Sequence, residues 1–124
     1  MNQGFAGFKS ATATLNQYRI VKMTATDTVG LASAATDALL SINKTNITVI
    51  GAHVDLGDVG EIVWCECGAA VAVGARITSD AVGRGVTAAP AAGTNNGIVG
   101  IALSPTSAVG ELFRCLVSPQ VFQG

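Results

Sequence analysis

The chain reads as a small all-β single domain, a sandwich or barrel, and three observations predict it. Apolar residues fill 49% of its 124 positions while aromatics fill only 5%, so the apolar content comes mainly from Ala, Val, Ile and Leu. Fifteen glycines are spread among them, which suits tight turns between short strands. Runs of alternating or β-branched residues recur along the chain with turn residues between them, and no helical period is sustained.

Taken in order, residues 1–16 carry Phe5 and Phe8 among Gly, Ala, Ser and Thr without a usable period, and read as an extended N-terminal arm. Such an arm either folds back over its own core or docks on a neighbour, because a terminal segment is ordered only when something ties it down. Residues 17–124 read as the β-rich domain. Tyr18, Ile20 and Val21 predict a strand over Gln17–Met23, and a second is expected near Val29–Ala32. Ala34–Leu40 reads as a short helical turn with Thr36 and Asp37 at its start.

Ile47–Val54 and Glu61–Cys67 read as the clearest strands, joined by the Gly- and Asp-rich stretch Asp55–Gly60 as a hairpin loop. In the second of them Val63, Cys65 and Cys67 share one face, while Ile62, Trp64 and Glu66 share the other. With apolar residues on both sides, both faces are expected to be at least partly covered. Short segments at Ala69–Val73 and Arg76–Ser79 follow. The turn Asp80–Gly85 then leads into Val86–Ala88, so Arg76–Ala88 reads as strand, turn, strand. Ala89–Asn96 is a loop by composition, Gly97–Leu103 a buried strand, and Glu111–Ser118 an alternating strand with Phe113, Cys115 and Val117 on one face.

Charge bounds the partners. Only 12% of residues are charged, about half the share of roughly 25% in ordinary soluble domains. Interface cores are depleted in charge, so this composition favours a subunit of an assembly over a free monomer. A net charge of −1 offers no clustered basic face for a phosphate backbone, and direct nucleic-acid binding is not expected. Apolar windows such as Gly97–Leu103 fall far short of the roughly 20 residues that a membrane-spanning helix needs, so no membrane partner is expected. Met1–Asn16 lacks the pattern of a secretory leader, and three cysteines cannot all pair within one chain, which fits assembly in a reducing cytoplasm. Asn43-Lys44-Thr45 and Asn46-Ile47-Thr48 match a glycosylation pattern but read as turn chemistry.

Chemistry-bearing residues are few. Cys65 and Cys67 share a strand face and, with Cys115 and His53, make a conceivable zinc quartet, but the spacing is not that of a zinc knuckle, and free cysteines commonly pack as small hydrophobes. His53 lies near Asp55 and Asp58, yet no nucleophile accompanies it in a recognisable motif. Gly83-Arg84-Gly85 lacks the ending of a phosphate loop. Catalytic, cofactor and metal residues are therefore expected to be absent, and the chain is not expected to be an enzyme. Trp64, Arg76 and Arg84, with Phe5 and Phe8, remain as candidate interface residues; the plain alternatives are core packing for Trp64 and solvated turn-edge charges for the arginines.

The run Gly74–Ala88 (GARITSDAVGRGVTA), followed by Gly97–Leu103 (GIVGIAL) and Gly110–Val117 (GELFRCLV), resembles the head-decoration, or capsid cement, proteins of tailed bacteriophages. Tyr18–Lys22 (YRIVK) is similar to the opening strand of that family. The Cys65-Glu66-Cys67 strand and the Phe-containing arm depart from its usual pattern. The resemblance implies a structural virion protein on the outer capsid surface that bridges major capsid proteins and does no covalent chemistry. It also implies self-association, a homotrimer first and a dimer next. A ligand- or glycan-binding β module displayed on a virion is the second expectation.

Overall fold

The computed structural model describes residues 8–11 and 15–124, so Phe5 lies outside the described residues. Among these the fold is all-β, with nine strands and no helix. Four strands, β1 (Lys9–Ser10), β2 (Ile20–Ala25), β3 (Thr28–Leu31) and β4 (Leu39–Ile42), form sheet I in the order β1-β3-β2-β4. Five more, β5 (Ile62–Glu66), β6 (Arg76–Ser79), β7 (Gly85–Thr87), β8 (Asn95–Ala102) and β9 (Leu112–Gln123), form sheet II in the order β5-β9-β8-β6-β7.

The two sheets share the main core. Ile20, Ala32, Leu39 and Ile42 from sheet I and its flank meet Val63, Cys65, Ile77, Val99, Phe113, Cys115 and Val117 from sheet II, and Phe113 is the largest side chain sealed within it. Alternation places Val21 and Val29 on the opposite face of sheet I, where a second cluster forms with Leu15, Ile47, Val54 and Leu56. Around Val21 and Val29 sheet I is therefore a middle layer with an irregular layer over its far side, while the Met23–Ala25 end of β2 is exposed. Phe8 packs against that second cluster and Leu15 is buried within it. Asn43 pins this layer in place. It is fully buried, accepts from Thr45 N–H at 2.9 Å as a turn residue, and donates from Nδ2 to the carbonyl oxygens of Leu15 and Asn16, far away in the chain.

Three local expectations give way to other structure. Ala34–Leu40 is not helical: the Asp37 carboxylate accepts hydrogen bonds from the N–H groups of Ser33 and Ala34, closing a compact turn, and Leu39 already begins β4. Ile47–Val54 is not a strand either. Ile47 makes a single bridge to Leu15, then the backbone turns at Gly51 with φ at 83° and leaves Val49 and Ile50 exposed. Nor do residues 47–54 and 61–67 form a hairpin, because β5 pairs antiparallel with β9, nearly fifty residues onward, from Ile62 opposite Leu116 to Glu66 opposite Leu112. Ala69–Val73 contributes only the bridge Val71–Thr106. The β6–β7 hairpin falls where the pattern places it, whereas β8 begins at Asn95, inside the expected loop, and β9 runs on to Gln123, five residues past the expected end at Ser118.

A corner between the sheets fixes the end of β5. Tyr18, in the left-handed region at φ 69°, accepts the Glu66 N–H at 2.9 Å, and Ile20 N–H donates to Gly83 C=O at 2.7 Å. Arg19 spans the same corner, donating to Val82 C=O at 2.9 Å and to Glu66 Oε2 at 3.2 Å.

Candidate interaction surface

The inner and outer faces of the β5–β9 ribbon differ sharply. Val63, Cys65, Phe113, Cys115 and Val117 point into the core, whereas Ile62, Trp64 and Leu112 point outward and stay 55%, 47% and 40% exposed. Register makes the outward set contiguous: Ile62 lies opposite Leu116, Trp64 opposite Arg114, and Leu116 continues to Ile101 on β8. Leu116 and Ile101 are half-buried, so an aliphatic and aromatic stripe crosses three strands with Arg114 set into it. Both faces of the ribbon are apolar, but only the inner one is covered. A single exposed aliphatic needs no explanation, whereas this group is contiguous and contains the chain's one tryptophan.

The edge of β5 is open at the same place. Val117 N–H donates to Glu61 C=O and Cys67 N–H to Glu111 C=O, so the odd-numbered residues of β5 carry the ladder to β9. The backbone groups of Ile62 and Trp64 accordingly face away from β9, and no other described strand pairs with them. Glu66 N–H, next in the row, is already held by Tyr18. Other edges are partly covered. Gly85 on β7 is bridged by Cys67, β1 is bridged by His53, and the distal half of β9 carries Pro119, which donates no hydrogen bond.

The remaining candidate residues are dispersed. Arg84 Nε lies 3.3 Å from Asp80 Oδ2, out of line for a hydrogen bond, while Asp80 Oδ1 accepts from Val82 and Arg84 N–H and shapes the β6–β7 turn. Arg76 stacks over the Phe122 ring at 4.5 Å and sits some way from Trp64 along sheet II, opposite Ile101. Phe8 packs in its own chain on the second core cluster, on the far side of sheet I. Sequence reasoning singled out Trp64 but passed over Ile62, Leu112 and Arg114. Their signal was apolar residues on both faces of one strand, which looks the same for a covered strand and an exposed edge.

The thiols and His53 do not come together. Cys65, Cys67 and Cys115 are wholly buried and free, while His53 is exposed and bridges Lys9 at the edge of sheet I. Among the described residues no group of three or more His, Cys, Asp or Glu is placed to hold a metal ion. Burial pushes the Cys65 thiol well up, with the neighbouring Cys115 adding to the shift, and burial raises Cys115 to about 12. Both thiols are therefore held in the neutral form at neutral pH.

A crevice of about 360 Å³ opens between Thr36–Leu39 and the strand ends Asn95–Gly97 and Gln120–Val121. Its single ionisable group is Asp37, whose Oδ2 is bound by Lys22, Ser33 and Ala34. Burial raises that carboxyl, but these hydrogen bonds and the Lys22 charge outweigh it and hold it below its usual value. Asp37 is thus committed to the turn. At the start of β5, Lys44 bonds Glu61 at 2.9 Å, which raises the lysine. Burial opposes ionisation of Glu61, but Asp58 N–H and Lys44 together depress it.

No family profile matches the chain, and no curated protein matches it either.

Proposed function

We propose that this chain is a structural virion protein that binds the outer surface of a capsid and bridges neighbouring major capsid proteins, without cofactor or covalent chemistry. The observation that carries the reading is the uncovered stripe of Ile62, Trp64, Leu112 and Arg114, contiguous across the β5–β9 ribbon. It is supported by the order of the runs Gly74–Ala88, Gly97–Leu103 and Gly110–Val117, which resembles the capsid cement proteins, and by a surface poor in charge.

The mechanism is additive. Each subunit contributes a modest contact, and a small symmetric cluster engages several capsid subunits at once, so that individually weak contacts hold together. In this reading the chain is made in the host cytoplasm and resides on the outer capsid. The resemblance implies a trimer first and a dimer next.

The test is to mix the purified chain with undecorated heads, sediment them and image the pellet. Ordered density on the shell, and heads more resistant to heat, are expected. Heads that stay bare at saturating protein would overturn the proposal. Trp64→Lys is expected to reduce shell binding with the fold intact.

A further inference from the structure

We infer that the β5 edge is a self-pairing site: two copies of this chain join antiparallel along Ile62–Cys65 about a twofold axis at Val63, merging two five-stranded sheets into one. The inference stands on the edge geometry and does not rest on the capsid reading.

The stretch of edge that is open selects this partner. Its unpaired backbone groups belong to Ile62 and Trp64. An antiparallel second copy centred on Val63 sets Ile62 against Trp64 of the second copy and Trp64 against Ile62 of the second copy. Both are pairs in which the two residues exchange N–H and C=O, so four backbone hydrogen bonds form and every open group is used. Because paired residues share a face, each Ile62 side chain then lies against a Trp64 indole on the outer side, an aromatic–aliphatic pairing that stabilises sheets. A one-residue slip would put the already bonded backbone groups of Val63 and Cys65 opposite the open ones.

Charge and space agree with the same register. The segment from Ile62 to Cys65 carries no charge. Its flanking acids are neutralised within their own chain, Glu61 by Lys44 at 2.9 Å and Glu66 by Arg19 at 3.2 Å. Pairing about Val63 sets Glu66 opposite Gly60 of the second copy and Glu61 opposite Cys65, so no like charges meet. Gly60 has no side chain to crowd the corner where Tyr18 occupies the edge, and its φ of 87° takes it out of the extended strand conformation there. The open length ends where the self-complementary strand ends. No lysine, proline or bulge guards this stretch, in contrast to the edges described above.

The test is sedimentation equilibrium of the full chain over a wide concentration range, with amide hydrogen exchange at each end of that range. A monomer–dimer equilibrium is expected, with the Ile62 and Trp64 amides gaining protection as concentration rises. Emission from Trp64, the chain's one tryptophan, should shift to the blue in step. Ile62→Pro removes a donor that the monomer's ladder does not use and should weaken dimerisation by about tenfold or more with the thermal midpoint little changed. Trp64→Lys tests the same pairing from the side chain if the proline variant does not fold. A chain that stays monomeric to millimolar concentration overturns the inference, as does an oligomer in which those two amides exchange as fast as in dilute protein. The two proposals fail separately: a monomer that coats heads sinks the dimer alone, and a dimer that ignores heads sinks the capsid reading alone.

Discussion

Sheet I and sheet II are built from similar residues, yet one is finished within the chain and the other is not. Sheet I has the main core on one face and the cluster of Leu15, Val29, Ile47 and Val54 on the other, and its edge strands are bridged by neighbouring segments. Sheet II buries one face to completion and leaves Ile62, Trp64 and Leu112 on the other, beside an edge whose backbone groups are unpaired. Apolar content therefore does not mark the core by itself. What marks an interaction surface is apolar content for which the fold supplies no covering layer.

The comparison breaks most readily at Phe113, which is fully buried where β5, β6 and β7 converge. Phe113→Ala should cost about 3–5 kcal/mol, read as a shift of the urea midpoint at constant slope. If it cost under about 1 kcal/mol, the inner face would not be the packed face.

The thiols sharpen the same contrast. With Cys115 raised from 9.0 to about 12, its thiolate fraction at pH 8 falls by three orders of magnitude. Native protein should leave Cys65 and Cys115 almost unlabelled by a disulfide reagent over hours, and all three cysteines should react at once in denaturant. Rapid labelling of the native chain would mean that sheet II opens far more easily than its packing implies.

The polar ties at the starts of β4 and β5 can be tested through pH. Folded Asp37 and Glu61 both titrate below their usual values, so each stabilises the fold above the unfolded carboxyl pKa, and that contribution is lost as pH falls through the depressed folded values. Stability should therefore decline on acidification below about pH 4. Asp37→Asn should lower stability at pH 7 by roughly 1–2 kcal/mol and flatten the acid limb, as measured by thermal melts across pH. An unchanged acid limb would place the tie elsewhere.

The smallest effect is expected at Trp64. Trp64→Ser on the open face should change monomer stability by less than about 1 kcal/mol, because there is no covering layer to lose. A loss comparable to that at Phe113 would erase the distinction between the two faces.

Much of this was legible in the amino-acid order. The β6–β7 hairpin follows from β-branched residues around Asp80–Gly85, and the burial of Phe113, Cys115 and Val117 follows from their alternation. Residues 47–54 were not legible, because their β-branched run looks like a strand until Gly51 takes a positive φ and the segment becomes a covering layer. Residues 34–40 misled for a different reason: helix-favouring Ala and Leu sit beside an Asp37 whose carboxylate serves the turn instead. At residues 47–54 a local preference was overruled by a layer made with residues distant in the chain, and at residues 34–40 by a side-chain hydrogen bond within the turn itself.

Composition and period settled the strand chemistry, the aliphatic core and the scarcity of charge, since those depend on neighbours two residues away. Which face of β5 would meet water, and which of its hydrogen-bonding groups would go unpaired, depended on β5 finding β9 rather than Ile47–Val54, and on Tyr18 reaching Glu66. Those are long-range pairings whose selection comes from the packing of the whole domain, because a period of two says only that a strand has two sides and not what will lie against each.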